Sequence, residues 1–157
     1  MIREHTLDTT SNGVLTFWNL GDVDRQRMES ELYAIGLRDF VPSARRNISL
    51  LRDALEDFAR NNNVCAGRLL VRPLEDGMSI VDEAKGKHEN QYETKISAWV
   101  DEYGVITCNP LHYQAPVATR FVDLRDVITG PQVTNMMVKV IDSWHGLRLR
   151  ENGGLYW

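Results

Sequence analysis

The sequence has too few cysteines for disulfide bonds to hold its fold together. Only two occur in 157 residues, Cys65 and Cys108, whereas disulfide-dependent domains are small, secreted and rich in cysteine. Both lie in apolar, strand-like contexts, which are typical of buried free thiols. We therefore expect two unpaired cysteines in a reducing compartment, with a single bond between them as the alternative.

Long apolar runs are absent as well. No stretch approaches the roughly 18 residues that a membrane-spanning helix needs, and the first ten residues are polar where a secretory leader would be apolar. The hydrophobic content of 43% and the charged content of 25% are ordinary for a globular protein. We expect a soluble, cytoplasmic protein that does not associate with membranes.

The sequence also lacks the short motifs that mark phosphate, dinucleotide, acyl-transfer or zinc chemistry. It contains no G-x-x-x-x-G-K-[ST], G-x-G-x-x-G, G-x-S-x-G or H-E-x-x-H. The four histidines lie in four separate segments, and neither cysteine has the basic neighbours that would activate a thiolate. We therefore expect no resident metal or cofactor, and a protein that is not an enzyme.

What the sequence does contain is a pair of consecutive β-hairpins. The first spans about 68–84 and turns near Gly77, because glycine accepts the positive φ that a tight turn needs. The second spans about 92–108 and turns at 101–104. Alternation along its first strand predicts two faces: one with Thr94, Ile96, Ala98 and Val100, the other with Glu93, Lys95, Ser97, Trp99 and Asp101.

Helical periodicity flanks the hairpins on both sides. It predicts helices at about 22–35, 43–60 and 131–145, with Ser43 as the cap of the second and Pro131 opening the third. The apolar stripe of the second helix should pack on the sheet, and that of the third should seal another part of it. The two stripes are Ile48, Leu51, Leu55 and Phe58, and Val133, Met136, Met137, Val140, Ile141 and Trp144.

The remaining segments complete an α+β fold. Residues 14–20 predict an N-terminal strand and residues 147–157 a C-terminal hairpin, whereas Pro110 and Pro116 predict an irregular loop over 109–119. The expected architecture is an antiparallel sheet of two central hairpins with these additional strands, covered by three main helices. We expect one α+β domain over 1–157, with the N-terminal domain of a longer protein as the alternative.

Charge is distributed unevenly along a chain whose net charge is −4. Residues 38–72 hold seven arginines against four acids, whereas residues 75–102 hold three lysines against eight acids. Arginines on predicted strands, together with an aromatic side chain on a polar sheet face, suit nucleic acid, since bases stack on aromatic rings. A nucleic-acid-binding protein is therefore one alternative, using Trp99, Arg68, Arg72, Arg148 and Arg150.

A second alternative comes from three polar residues on the central strands. Glu93-Thr94-Lys95 forms an E-x-K triplet, and Asp82 lies on the preceding strand. With the order of predicted elements from 43 to 150, these residues resemble the core of the PD-(D/E)xK nucleases. The resemblance implies that Asp82 and Glu93 would hold Mg²⁺ and that Lys95 would stabilise the attacking water or the transition state.

The hypothesis that we favour from the sequence is a non-enzymatic protein-interaction or assembly module, accessory or regulatory in role. The last predicted strand has only three residues, which leaves backbone groups to pair with another chain. We therefore expect binding of a protein partner, or a homodimer formed through residues 147–157. The candidate binding residues are Trp99, Arg148, Arg150, Tyr156 and Trp157.

Overall fold

Four helices and eight strands make up the part of the chain that the structure, a computed structural model, describes: residues 16–17, 20–146 and 155–156. The α+β class is confirmed. No helix among the described residues is long and apolar enough to cross a membrane. The strands are β1 (Thr16–Phe17), β2 (Val23–Asp24), β3 (Arg68–Leu74), β4 (Gly77–Ala84), β5 (Gln91–Val100), β6 (Ile106–Asn109), β7 (Val127–Ile128) and β8 (Leu155–Tyr156), and the helices are α1 (Arg25–Ala34), α2 (Asn47–Asn61), α3 (Gln114–Arg125) and α4 (Gly130–Ser143).

The described residues group into two units, each with a buried core of its own. The second unit is the continuous segment Ser43–Val127, and the first unit combines the described residues that precede and follow it. The core of the second unit is built from α2, α3 and β4–β6, and that of the first from α1, α4 and their neighbours. Whether the chain forms one domain, as we predicted, stays a prediction.

Both predicted hairpins are present in the second unit. They form a four-stranded antiparallel meander in the order β3-β4-β5-β6. The first hairpin turns on Glu75-Asp76, and Asp76 rather than Gly77 takes the positive φ of 53°. Asp tolerates this left-handed region better than most residues. The second hairpin turns at 101–104 as predicted, with Gly104 at φ 83°.

A β-bulge in β5 corrects the predicted faces of that strand. Ile80 pairs with Ile96 whereas its neighbour Val81 pairs with Thr94, so Lys95 is the extra residue. Because one inserted residue reverses the alternation beyond it, Thr94 no longer shares a face with Ile96. Ile96 and Ala98 lie in the core as predicted.

Helix α2 covers one face of the sheet with the predicted apolar stripe. Leu51 and Leu55 are fully buried, and Ile48 and Phe58 are partly buried beside them. The helix begins at Asn47, four residues later than predicted, because Arg46 is extended (φ −65°, ψ 140°) and occupies the N-cap position. The prediction of Ser43 as the cap was therefore wrong.

Helix α3 lies where we predicted an irregular loop. Pro116 is the third residue of this helix, and the first-turn N–H groups of a helix have no partner within it. A proline there removes no intrahelical hydrogen bond, so the prediction from Pro116 was wrong. Val117 and Phe121 on this helix are buried in the same core as α2.

Helix α1 in the first unit spans Arg25–Ala34, within the predicted range 22–35, and is closed at both ends. The Asp24 side chain caps the start by accepting a hydrogen bond from Arg27 N at 2.7 Å. At the end, Gly36 takes φ 76° and Leu37 N donates to Leu32 O at 2.8 Å. This is the Schellman arrangement, in which a left-handed residue closes the last turn.

Helix α4 differs from its prediction at its C-terminal end. It ends at Ser143, His145 takes the left-handed φ of 61°, and Gly146 N bonds back to Ile141 O at 2.9 Å. Trp144 lies beyond the buried stripe and is 67% exposed, so its predicted burial was wrong. The apolar contacts found for α4 are those of Val133, Met136 and Met137 with Leu32, Ile128 and their neighbours in the first unit. The predicted packing of this helix on the sheet stays a prediction.

The C-terminal strand pairs within the chain. Backbone pairs Thr16↔Tyr156 and Phe17↔Leu155 join β8 to β1 in an antiparallel arrangement. The predicted strand at 147–150 lies outside the described residues. A homodimer through residues 147–157 stays a prediction.

Candidate functional site

Trp99 lies on the sheet face opposite the helices. Its neighbour Ala98 is buried in the core with α2, and alternation turns Trp99 to the other face. It is 37% exposed and is paired with Gly77 on β4. A Cβ at Gly77 would collide with the Ala98 carbonyl and lie 2.8 Å from Trp99 Cδ1. Glycine at the start of β4 therefore allows the backbone of β5 and the indole to approach closely.

An open groove of about 980 Å³ surrounds Trp99 at the turn end of the sheet. Its walls come from the β3–β4 turn, the β5–β6 turn and the first residues of α2. Leu74 and Val105 expose apolar surface beside the indole, and Val105 is 61% exposed. The groove thus joins three apolar side chains that come from separate strands and turns.

Hydrogen bonds fix the walls of the Trp99 groove. Asp101 Oδ1 accepts from the backbone N–H groups of Tyr103 at 2.9 Å and Val105 at 2.8 Å. Asn47 Nδ2 donates to Asp101 O at 3.1 Å, which ties the start of α2 to the β5–β6 turn. A binding surface held by such bonds is ordered before a ligand arrives.

The groove is acidic. Asp76, Asp101 and Glu102 line it against a single base, the exposed Arg46. Phosphate groups are repelled by such a surface, and cationic side chains are attracted. The π face of an exposed indole also attracts cations.

Of the five predicted binding residues, the structure places only Trp99 in this groove. Arg148, Arg150 and Trp157 lie outside the described residues, and Tyr156 is described only as part of the β8 backbone. Sequence reasoning missed Leu74, Asp76 and Val105. The signal that points to them is the meander itself, because the two hairpin turns fall at the same end of the sheet.

The three residues of the nuclease resemblance lie side by side. Asp82 and Glu93 are directly paired across β4 and β5, and Lys95 Nζ is 2.6 Å from Glu93 Oε2. Asp82 is buried, and its two oxygens accept from Ala66 N at 2.9 Å and Gly67 N at 2.8 Å. The carboxylate therefore holds the loop between α2 and β3.

In this arrangement Asp82 and Glu93 both have partners within the protein. Glu93 hydrogen-bonds Lys95 and so raises the pKa of that amine. Within the described residues no group of three His, Cys, Asp or Glu side chains could hold a metal ion. The nuclease alternative stays an untested prediction.

The two cysteines are free thiols, as expected. Cys108 is buried, and burial raises its pKa to about 11. Cys65 is half-buried, and its pKa is raised by burial and by the negative charge of Asp82, with partial opposition from Lys95. Neither thiol is an activated nucleophile, since activation requires a lowered pKa.

Alkylation of the native protein should therefore be slow at both cysteines and slowest at Cys108. With a pKa of about 11, the Cys108 thiolate is about one part in a thousand at pH 8. We expect Cys65 to react first with iodoacetamide at pH 8, and the Cys108 rate to rise with pH or on unfolding. Mass spectrometry of tryptic peptides over a time course measures both rates. Equal rates in the native and urea-unfolded protein would contradict this result.

Searches of known proteins add no information about this site: no protein-family model, no curated protein and no solved structure matches the chain.

Proposed function

We propose that this chain is a non-enzymatic protein-interaction module, accessory or regulatory in role, that binds a segment of a partner protein in the Trp99 groove. The observation that carries the proposal is the position of Trp99, exposed among apolar residues in a preformed groove. Tryptophan is among the residues most enriched at the energetic centres of protein interfaces. The sequence supports the proposal because it contains none of the catalytic motifs named above.

The shape and charge of the groove favour a polypeptide over other ligands. Small-molecule sites bury most of the ligand in a cleft, whereas Trp99 and Val105 remain 37% and 61% exposed on an open surface. Nucleic acid is disfavoured because three acids face a single arginine. The proposed partner segment carries an apolar side chain next to a basic one.

Replacing Trp99 with alanine should abolish most binding of peptides selected on this surface. Peptides selected from a displayed random library on the immobilised protein should enrich an apolar residue beside arginine or lysine. We expect the Trp99→Ala variant to bind them about thirtyfold more weakly, as losing a central interface residue worth ~2 kcal/mol implies. Fluorescence anisotropy of the synthesised peptides measures the affinities.

The matched control is Tyr103→Ala. Tyr103 lies on the adjacent turn and is 81% exposed but does not line the groove, so its removal should leave affinity unchanged. If wild type and the Trp99→Ala variant bound the peptides with equal affinity, the groove would not be the binding site. Tight binding of DNA that weakens steeply with salt would instead favour the nucleic-acid alternative.

A further inference from the structure

Strand β3 is an edge of the four-stranded sheet, and among the described residues β4 is its only neighbour in that sheet. The β3–β4 turn has two residues, so the closing pair Leu74↔Gly77 exchanges hydrogen bonds. In an antiparallel ladder, hydrogen-bonded pairs alternate with non-hydrogen-bonded pairs. The N–H and C=O groups of a non-hydrogen-bonded residue point away from the strand with which it is paired. The backbone groups of Leu69, Val71 and Pro73 therefore face outward.

Little on this edge prevents another strand from pairing with it. Pro73 has no N–H, but Leu69 and Val71 each present an N–H and a C=O. An exposed seven-residue edge with an apolar centre is a template for strand addition. The edge sequence from Arg68 to Arg72 reads RLLVR.

A shallow groove of about 370 Å³ runs between this edge and helix α2. Leu69 and Val71 pack against the core at its floor, and Arg52 and Glu56 of α2 form the helix side. An added strand would place alternate side chains over this groove. The side chains of the added strand that lie over this apolar floor should therefore be apolar.

Around β3, three exposed arginines outnumber the one acid that lines the groove, Glu56. Arg68 and Arg72 are exposed on the face away from α2, and Arg52 is exposed beside the groove. Glu83 is 3.6 Å from Arg68 and lies on the inner neighbour β4, where an added strand would not reach it directly. Side chains opposite Arg68 and Arg72 on a new strand would therefore be acidic.

In the register that matches RLLVR with itself, a second copy of this chain is a poor occupant of the edge. Antiparallel pairing of β3 with itself about Leu70 would place Arg68 opposite Arg72 of the other copy. Like charges directly opposite one another destabilise a strand pair. The arginines thus discriminate against self-pairing in this register and favour an acidic partner.

We propose that β3 binds an extended acidic segment of another protein as a fifth, antiparallel strand of the sheet. The segment has the pattern acid, three mainly apolar residues, acid, which complements RLLVR position by position. Backbone hydrogen bonds to Leu69 and Val71 provide affinity, and the two acids provide specificity. This surface is distinct from the Trp99 groove, so the chain holds two docking surfaces of opposite charge.

The probe is a fluorescein-labelled peptide, Gly-Glu-Val-Thr-Val-Glu-Gly. Its two valines would lie opposite Leu69 and Val71 and bond them, whereas its threonine would lie opposite Leu70 with its N–H facing away. N-methylation of both valines should therefore abolish binding in anisotropy titrations. N-methylation of the threonine is the matched control and should leave the affinity within about twofold.

Charge is tested on the protein and on the peptide together. The Arg72→Glu variant should bind the peptide about tenfold more weakly, since an attractive cross-strand pair becomes repulsive. The same peptide with lysines in place of its glutamates should prefer this variant over wild type. Arg27→Glu, an equal charge change at an exposed residue of the other unit, should alter neither affinity.

Three outcomes would overturn the proposal. They are an affinity weaker than about 1 mM, equal binding of the peptides methylated at valine and at threonine, and equal binding of the acidic and basic peptides by wild type. A dimer in sedimentation that Arg72→Glu strengthens would assign the edge to a second copy instead. The Trp99→Ala variant should keep full affinity for this peptide, so failure at one surface is distinguishable from failure at the other.

Discussion

Replacing Leu55 with alanine is expected to destabilise the protein by about 2–5 kcal/mol. Leu55 is fully buried in the middle of α2, in one core with Leu51, Ile80 and Ile96. Truncation loses the transfer free energy of the side chain and leaves a cavity between helix and sheet. Such a loss is a large part of the 5–15 kcal/mol that stabilises a typical domain. Urea denaturation followed by circular dichroism measures it.

The matched control is Leu111→Ala, the same chemical change at a leucine that is 72% exposed. Its effect should stay within about 0.5 kcal/mol, as for most surface substitutions. If the Leu55→Ala variant lost less than about 1 kcal/mol, the packing of α2 on the sheet would be wrong.

Replacing Asp82 with alanine should have the second large effect, a loss of about 3 kcal/mol. The buried carboxylate accepts two backbone hydrogen bonds from the Ala66–Gly67 loop. Bonds to a charged group are stronger than neutral ones, and their removal leaves two donors without this acceptor. The same denaturation experiment measures the loss.

Glu93→Ala tests whether the effect belongs to Asp82 or to the whole acidic pair. Glu93 is mostly exposed, and its ion pair with Lys95 is of the surface type, which contributes about 0–1 kcal/mol. We expect the Glu93→Ala loss to be the smaller by a clear margin. Losses of equal size would show that Asp82 does not hold the loop.

The parts of the fold that the sequence predicts well have strong local signals. The hairpins around 75–76 and 101–104 follow from turn residues between alternating strands. The stripe at Leu51 and Leu55 follows from helical spacing, and the end of α1 from Gly36 followed by an apolar residue. In each case the local preference and the final packing agree.

The errors arise where tertiary structure or position decides. Pro116 predicts an irregular loop, yet it lies in the first turn of α3, where proline is tolerated. The bulge at Lys95 leaves no trace in the alternation, because the register depends on the partner strand β4. Ser43 resembles a cap, but the chain stays extended through Arg46.

Part of the candidate site could be predicted from the sequence and part could not. Trp99 could be chosen from sequence, since a large aromatic residue on a polar strand face is unusual. Its groove could not, because Leu74 and Val105 reach it from turns whose mutual position is set by the meander. The outward backbone of β3 likewise required the strand order, which places β3 at an edge.

Synthesis on a ribosome completes the second unit before the first. Ser43–Val127 is continuous, and its strands pair with neighbours along the chain, so it can fold as soon as it has emerged. Helix α1 is made earlier, yet its core partners Val133 and Met136 are made only after the second unit. During that interval Leu32 lacks two of the side chains that share its buried core in the folded chain.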